Sequence, residues 1–319
     1  MIVCCGEALV DLVPEAVPGG GPLNVAVAAA RQGAPTAFLG RLSRDRYGEL
    51  IRRHLSASGV DLTLVEWGDE PTARAIVEHA PRLRFRFEGD ASADTALGRA
   101  DLSALGAERH AVHGGTLGLF RGRTAEVLAR LVDRYDGLIS LDPNVRPSLI
   151  DDRARWDHFH DRWRRRTHLY RASDEDLDWI WPARSVDSVA AELLAAGVRA
   201  VVVTRGAQGA TAFTATGETT VAGRPVTVHD TVGAGDTFVA TMLVSLLEAG
   251  VAASPDAAAP AGTSGVADRL DRLEAGTWRT IVERAVAASA LCCTRRGADP
   301  PNRSELDAAL GLREGPEPR

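Results

Sequence analysis

Apolar and polar positions along the chain fall into two rhythms. Over the first 59 residues, and again from residue 111, short β-branched runs alternate with segments whose apolar residues recur every three or four positions. The opening IVCCGEALVDLV reads as a central strand, broken at Gly6 and ending on the acid Asp11. A glycine triplet at 19–21 followed by Pro22 predicts a turn, and NVAVAAARQG from Asn24 predicts a helix closed by Gly33. TAFLG (36–40) is a further strand and YGELIRRHLSASG (47–59) an amphipathic helix. The alternation returns at AVHGG/TAEVLARLVDRY, LISLDPN/RARWDHFHDRW and VRAVVVTRG. Strand and helix in turn predict a mostly parallel sheet with crossover helices.

Between residues 60 and 90 the rhythm changes. VDLTLVEW, PTARAIVEH and LRFRFEG read as consecutive strands without helices, and RLRFRF alternates strictly. Such alternation implies one wet face, hence a small antiparallel sheet projecting as a lid or a dimerisation surface. The span from Asp11 to the glycines is too short to suggest another lid strand. VAASPDAAAPAGTSG (251–265) predicts a solvent-exposed loop. The expected architecture is one α/β domain over residues 1–319 with a β-lid at 60–90, joined by part of 12–22.

Composition narrows the function. With 319 residues, 45% hydrophobic and 25% charged, the chain is globular and needs no disulfide staple. The formal charge of -6 argues against a nucleic-acid or anionic-membrane surface. No apolar run reaches the roughly 20 residues of a membrane span. A basic n-region and cleavage site are lacking at the start, so a cytoplasmic address is expected. All 37 basic residues are arginine. Any chemistry needing a lysine, such as a Walker A loop or a Schiff base, is therefore excluded within this chain. The pairs Cys4-Cys5 and Cys292-Cys293 lack metal or redox spacing and read as buried thiols.

The segment HDTVGAGDTFVATMLVSLLEAG (229–250) carries the most chemistry. Phe238, Met242, Leu246 and Leu247 give it helical spacing, and Gly233-Ala234-Gly235 opens the helix. Glycines there let a ligand approach the backbone, and helix N-terminal amides bind anions without any lysine. Asp236 falls beside those amides. Taken alone, GAGD also describes a turn with a capping aspartate.

The string DTVGAGDTF resembles the C-terminal signature of the ribokinase-like (PfkB) carbohydrate kinases. GEALVDLVPE (6–15), GGGPLNVAVAAARQGAPTAFLGRLSRDRYGELI (19–51), VVVTRGAQGATAF (201–213) and TRRGADPP (294–301) agree in the family's order over essentially the whole chain. LDPNVRPSL (141–149) looks most like the fructokinase branch. The resemblance implies a ribokinase-like three-layer α/β/α fold and an ATP- and Mg²⁺-dependent transfer of phosphoryl to a sugar hydroxymethyl group. It implies Asp236 as general base, with the amides of Gly233, Ala234, Gly235 and Asp236 as anion hole. It places Asp11, Gly20, Gly21, Asn24, Asn144 and Arg146 at the sugar, and Thr204, Gly206 and Gly209, with Gly233 and Gly235, at the nucleotide.

Some positions depart from the family pattern. Ser173-Asp174-Glu175-Asp176 stands in the place of an N-x-x-E motif that organises Mg²⁺ through water, leaving Asp176 one methylene short. Asp230 and Thr231 fall where a K⁺ site is often found, but Pro301 stands where ribokinases commonly have serine, which leaves K⁺ open. Fructose is the leading acceptor; 2-keto-3-deoxygluconate, ribose and a nucleoside follow, with Arg84 and Arg86 as candidates for greeting an acidic sugar. The competitor outside catalysis is a sugar-binding regulator, which would not need Asp236. The basic run DRWRRRTH (161–168) reads as a solvated helix face. HGGTLG (113–118) misses a dinucleotide fingerprint by its first glycine, and the i, i+2 histidines of HFH do not share a helix face.

Overall fold

The computed structural model describes residues 1–13, 15–78, 84–105, 110–251 and 265–312. Its strands are β1 (Ile2–Cys5), β2 (Leu9–Val13), β3 (Glu15–Gly19), β4 (Thr36–Ser43), β5 (Val65–Gly68), β6 (Ala73–Glu78), β7 (Arg84–Glu88), β8 (Ala111–Gly115), β9 (Leu138–Asp142), β10 (Leu169–Ser173), β11 (Ala200–Thr204), β12 (Ala210–Thr214) and β13 (Gly217–Val221). The helices are α1 (Gly21–Arg31), α2 (Arg46–Ala57), α3 (Gly122–Arg134), α4 (Arg153–Arg164), α5 (Asp174–Ile180), α6 (Val186–Ala195), α7 (Ala234–Glu248), α8 (Val266–Asp271), α9 (Ala275–Cys293) and α10 (Arg303–Ala309).

Among the described residues, nine strands form one sheet in the order β13-β12-β11-β10-β9-β8-β1-β4-β5. It is parallel from β5 to β11 and antiparallel only at β12 and β13. Side chains alternate between its faces, so each strand feeds two cores. On one side Ile2, Leu138, Leu169 and Val202 pack with Phe238, Val239 and Trp278. On the other, Val3, Ile139, Tyr170 and Val201 pack with Leu128, Trp156 and Trp163. Both faces are covered, giving the expected three layers. Helix α7 is buried from Asp236 to Leu246, which explains its apolar sequence.

The opening segment departs from the single strand predicted for it. It divides at Gly6, whose φ is +145°, into β1 in the large sheet and β2 in a second sheet ordered β3-β2-β6-β7. A side chain at Gly6 would meet Pro22 at 2.7 Å, so the glycine permits the close approach of α1. Residues 15–19 do form a lid strand, β3, paired antiparallel with β2 in a short hairpin. β2 also pairs in parallel with β6, and β6 antiparallel with β7. The VEWG stretch, expected in the lid, instead extends the large sheet as β5 beside β4. Its four residues show no clean alternation, and periodicity alone does not assign a short strand to a sheet. The loop predicted at 251–265 lies outside the described residues except at its ends.

Asp45 ties the lid to the body. Its carboxylate caps α2 through the N–H groups of Tyr47 and Gly48 and also accepts from the Thr72 N–H and hydroxyl at the root of β6. The four cysteines are free: Cys4, Cys5 and Cys292 are buried and Cys293 is half-buried. In the basic run, Arg162 pairs with Asp133, while Arg164 and Arg165 pair with Asp161. His160 is buried and bonded to the Tyr170 hydroxyl at 2.9 Å. No described helix is long and apolar enough to cross a membrane.

Candidate active site

The site lies at the carboxyl ends of the parallel strands, where α1 and α7 begin. Gly233 caps α7 with φ +76°, and a Cβ there would meet Ala298 at 2.6 Å. Only glycine suits both demands. The first turn of α7 exposes amides that the helix itself leaves unpaired. One of the four nominated amides is already used, since the Ala234 N–H donates to the Thr231 carbonyl at 3.2 Å. Asp236 stands in this turn at 8% exposure, and Asn24 of α1 donates to its carboxylate at 2.8 Å. Burial raises the Asp236 pKa above the ordinary carboxylate value, and the Asn24 bond and the charges of Arg146 and Arg171 pull it back in part. The result is a fixed carboxylate more basic than a surface aspartate.

The α1 end of the site is organised by Glu7, a residue the sequence reading passed over. Fully buried, its carboxylate accepts from the Gly21 N–H at 3.0 Å and the Gly118 N–H at 2.8 Å. Burial, opposed by these amide bonds, pushes its pKa up to about 7. Gly20 has φ +116°, and a Cβ there would lie 2.8 Å from the Glu7 carbonyl. Gly21 is pressed against Thr116, whose hydroxyl accepts from the Asn144 amide at 3.2 Å. Asn144 itself holds φ +38°, a left-handed turn, with its N–H on the Asp142 carboxylate at 3.1 Å. Asp11 folds over Gly19 from β2, and burial raises its pKa to about 6. Asn24 meets Asp236, and Asn144 meets Thr116 beside Gly21. Arg146 is exposed, bonded to the carbonyls of Asn144 and Val145.

On the other flank, Thr204 ends β11 and its hydroxyl accepts from Arg171 at 2.6 Å. Gly206 and Gly209 shape the following turn, where the Gly209 N–H donates to the Gly206 carbonyl and a Cβ at Gly209 would strike the Val221 carbonyl. Val226, Val228 and Val232 expose apolar surface beyond it, Val228 to 58%.

The two metal candidates are held by protein groups. Asp176 forms a capping box with Ser173, accepting its N–H and hydroxyl on one oxygen, while the other accepts from the Val145 N–H at 2.7 Å. Asp230 spans two loops, accepting from the Val232 N–H at 3.0 Å and the Gly297 N–H at 2.9 Å. Among the described residues no three His, Cys, Asp or Glu side chains cluster for a metal. This donor set fits a cation brought in with its own waters and phosphates, not an all-protein cage.

Asp142 and Arg171 were also missed by the sequence reading. They form a buried ion pair at 2.7 Å between the end of β9 and the middle of β10. A signal existed, because a charge in the middle of the buried strand LYRAS breaks its apolar pattern.

The profile of the pfkB family carbohydrate kinases matches residues 13–305. A fructokinase of Rhizobium leguminosarum bv. trifolii is 37% identical over 259 residues, covering 77% of this chain and 79% of the relative. The crystal structure of a fructokinase with bound ATP from Xylella fastidiosa superposes with TM-score 0.83 at 26% identity, covering 97% of this chain and 98% of that one. A fructokinase from Vibrio cholerae O395, crystallised with fructose, ADP and calcium, gives TM-score 0.77 at 25% identity, with 98% of each chain covered.

Proposed function

The chain belongs to the pfkB family of carbohydrate kinases, and from that premise we propose that it transfers the γ-phosphoryl group of ATP to D-fructose, giving D-fructose 6-phosphate. As a member it is a phosphotransferase acting on a sugar alcohol group; the donor, the acceptor and the residue roles are the proposal. The observation that carries the mechanism is Asp236, buried in the first turn of α7 and oriented by Asn24.

In this reading the fructose hydroxymethyl group lies at Asp236. Its oxygen attacks the γ-phosphorus while the hydroxyl proton passes to the Asp236 carboxylate. The bond to the bridging oxygen breaks and its electrons leave on ADP. The amides of Gly235 and Asp236, at the positive end of α7, steady the phosphoryl oxygens as charge spreads onto them. Asp11, Asn24 and Asn144 offer the acceptors and donors that sugar hydroxyls require. Thr204 and the 206–209 turn line the phosphates, and exposed Val226 and Val228 suit the face of an adenine. Mg²⁺ bound with the nucleotide would neutralise charge on the phosphates, and Asp176 is the side chain that would hold its waters; K⁺ has no assigned step.

Fructose is supported by the relatives named above; of the two lid arginines considered for an acidic sugar, the Arg84 side chain lies outside the described residues. Arg86, a candidate for an acidic sugar, is paired with Glu88 at 2.8 Å, and Arg74 shares the same carboxylate. The test is kcat/KM with Mg²⁺-ATP on fructose, 2-keto-3-deoxygluconate, ribose and adenosine. Fructose is expected to lead by at least ~10-fold; a lead for ketodeoxygluconate or adenosine would overturn the acceptor while keeping the class.

The acid limb of the pH profile adds a second expectation. Ionised, Asp11 accepts sugar hydroxyls on both oxygens and more strongly than its protonated form does, and its folded pKa of about 6 lies above the ordinary 3.8. Fructose kcat/KM therefore falls as pH drops through about 6. Asp11→Asn raises the fructose KM by about 10-fold or more, the scale of one lost charged hydrogen bond, and moves the limb down. An unchanged fructose KM in the variant would remove Asp11 from sugar binding.

A further inference from the structure

Arg171 sits where the fold calls for an apolar residue. It lies in the middle of β10, opposite Val202 of β11, and alternation places it on the face of Leu169, beneath α7. Asp142 and Thr204 occupy the same face at the ends of β9 and β11. The three make a polar row across adjacent parallel strands, directly below the first turn of α7. One terminal nitrogen donates to Asp142 at 2.7 Å and the other to Thr204 at 2.6 Å. Nε is buried and has no partner among the described residues.

Stability alone does not account for this group. A buried ion pair is often no more stable than an apolar pair of similar volume. Its surroundings point instead to a ligand. A Cβ on Gly235 would lie 3.0 and 3.2 Å from the two terminal nitrogens, so the guanidinium is pressed against the nominated anion hole. The second oxygen of Asp142 accepts from the Asn144 N–H, linking the same cation to the turn at the sugar side. A chain without lysine has no other side chain to place a permanent charge here than arginine.

We propose that Arg171 is the fixed cation of phosphoryl transfer, held by Asp142 and Thr204 so that its guanidinium faces the γ-phosphoryl oxygens beside the Gly235 and Asp236 amides. The inference rests on the kinase reading above and adds a residue to it. Arg171 keeps its proton throughout; the acceptor proton goes to Asp236, and the guanidinium compensates the charge gathering on the phosphoryl group and on the departing ADP.

The experiment compares binding of ADP with that of Mg²⁺-ADP-aluminium fluoride, a mimic of the phosphoryl group in transit, by titration calorimetry. It needs no assumption about the acceptor. In the wild type the fluoride complex binds more tightly than ADP. Arg171→Gln is expected to lose that preference by about 100-fold, the scale of one lost oxyanion donor, with ADP affinity changed less than about 3-fold. The double variant Arg171→Met with Asp142→Asn removes the buried charges together, so that neither is left unpaired. It should melt close to the wild type and show the same loss. A merely structural arginine would shift the melting temperature, or both affinities together. A wild-type preference surviving in either folded variant overturns the role and leaves the kinase reading standing. A wild type that binds neither ligand and releases no ADP overturns both.

Discussion

Asp236→Asn is expected to lower kcat by about 10²–10⁴-fold, the usual contribution of a positioned general base. The amide keeps the shape of the carboxylate, so the first turn of α7 survives. What it loses is basicity: the fructose hydroxyl has no acceptor for its proton when the oxygen attacks. Binding should persist, because on the proposed assignment the remaining sugar and nucleotide contacts would come from Asp11, Asn24, Asn144 and the 204–209 turn. The check is kcat beside calorimetric Kd values for fructose and ADP. Kinetics within a few-fold of wild type would remove Asp236 as base. Loss of both affinities would show a structural role instead.

Glu7→Ala should be the most damaging change outside the reacting groups. It strips acceptors from the buried N–H groups of Gly21 and Gly118. An orphaned buried donor costs about 1–3 kcal/mol, so for the two a loss of roughly 2–6 kcal/mol and a melting temperature lower by several degrees are expected. Gly21 opens α1, so Asn24 loses its setting and the fructose KM rises as well. The stability gap has a direction with pH. The folded pKa of Glu7, about 7, lies above the ordinary 4.5, so the folded state holds the proton longer than the unfolded chain. Wild-type stability from this group therefore declines as pH rises between those values. The alanine variant lacks that decline, and the gap measured by thermal unfolding is larger at pH 5 than at pH 8. A gap that widens with pH would contradict the assignment.

The parts of the fold legible in the sequence were those with a strong local cause. Alternating β-branched runs and amphipathic stretches announce a parallel sheet with crossover helices, and Gly233-Ala234-Gly235 announces the start of α7. The branching of the opening segment at Gly6 was not legible, because both halves look like the same apolar strand and only the partner strands differ. The hairpin of β2 and β3 was hidden for a related reason. Five residues with a proline at position 18 make a weak strand signal, and pairing with β2 supplies what propensity does not.

The site divides in the same way. Asp236, Asn24, Gly20, Gly21 and Asn144 sit in recognisable strings, and the fold brings their segments together at the strand ends. Glu7 and Arg171 act across long sequence separations, Glu7 on the Gly118 amide and Arg171 on Asp142 and Thr204. Nothing local marks which distant group a buried charge will meet. A charge in a buried strand was the available clue to Arg171. The same clue was present at Glu7, between Gly6 and an apolar run.

The most direct test is one reaction: wild-type protein with Mg²⁺-ATP and D-fructose, followed by phosphorus NMR. The expected result is new phosphomonoester signal from the furanose anomers of the product, all of it coupled to the C6 protons of fructose, growing in step with ADP and absent without the sugar. ADP released equally with and without fructose, or a phosphate on another position of the sugar, would contradict it.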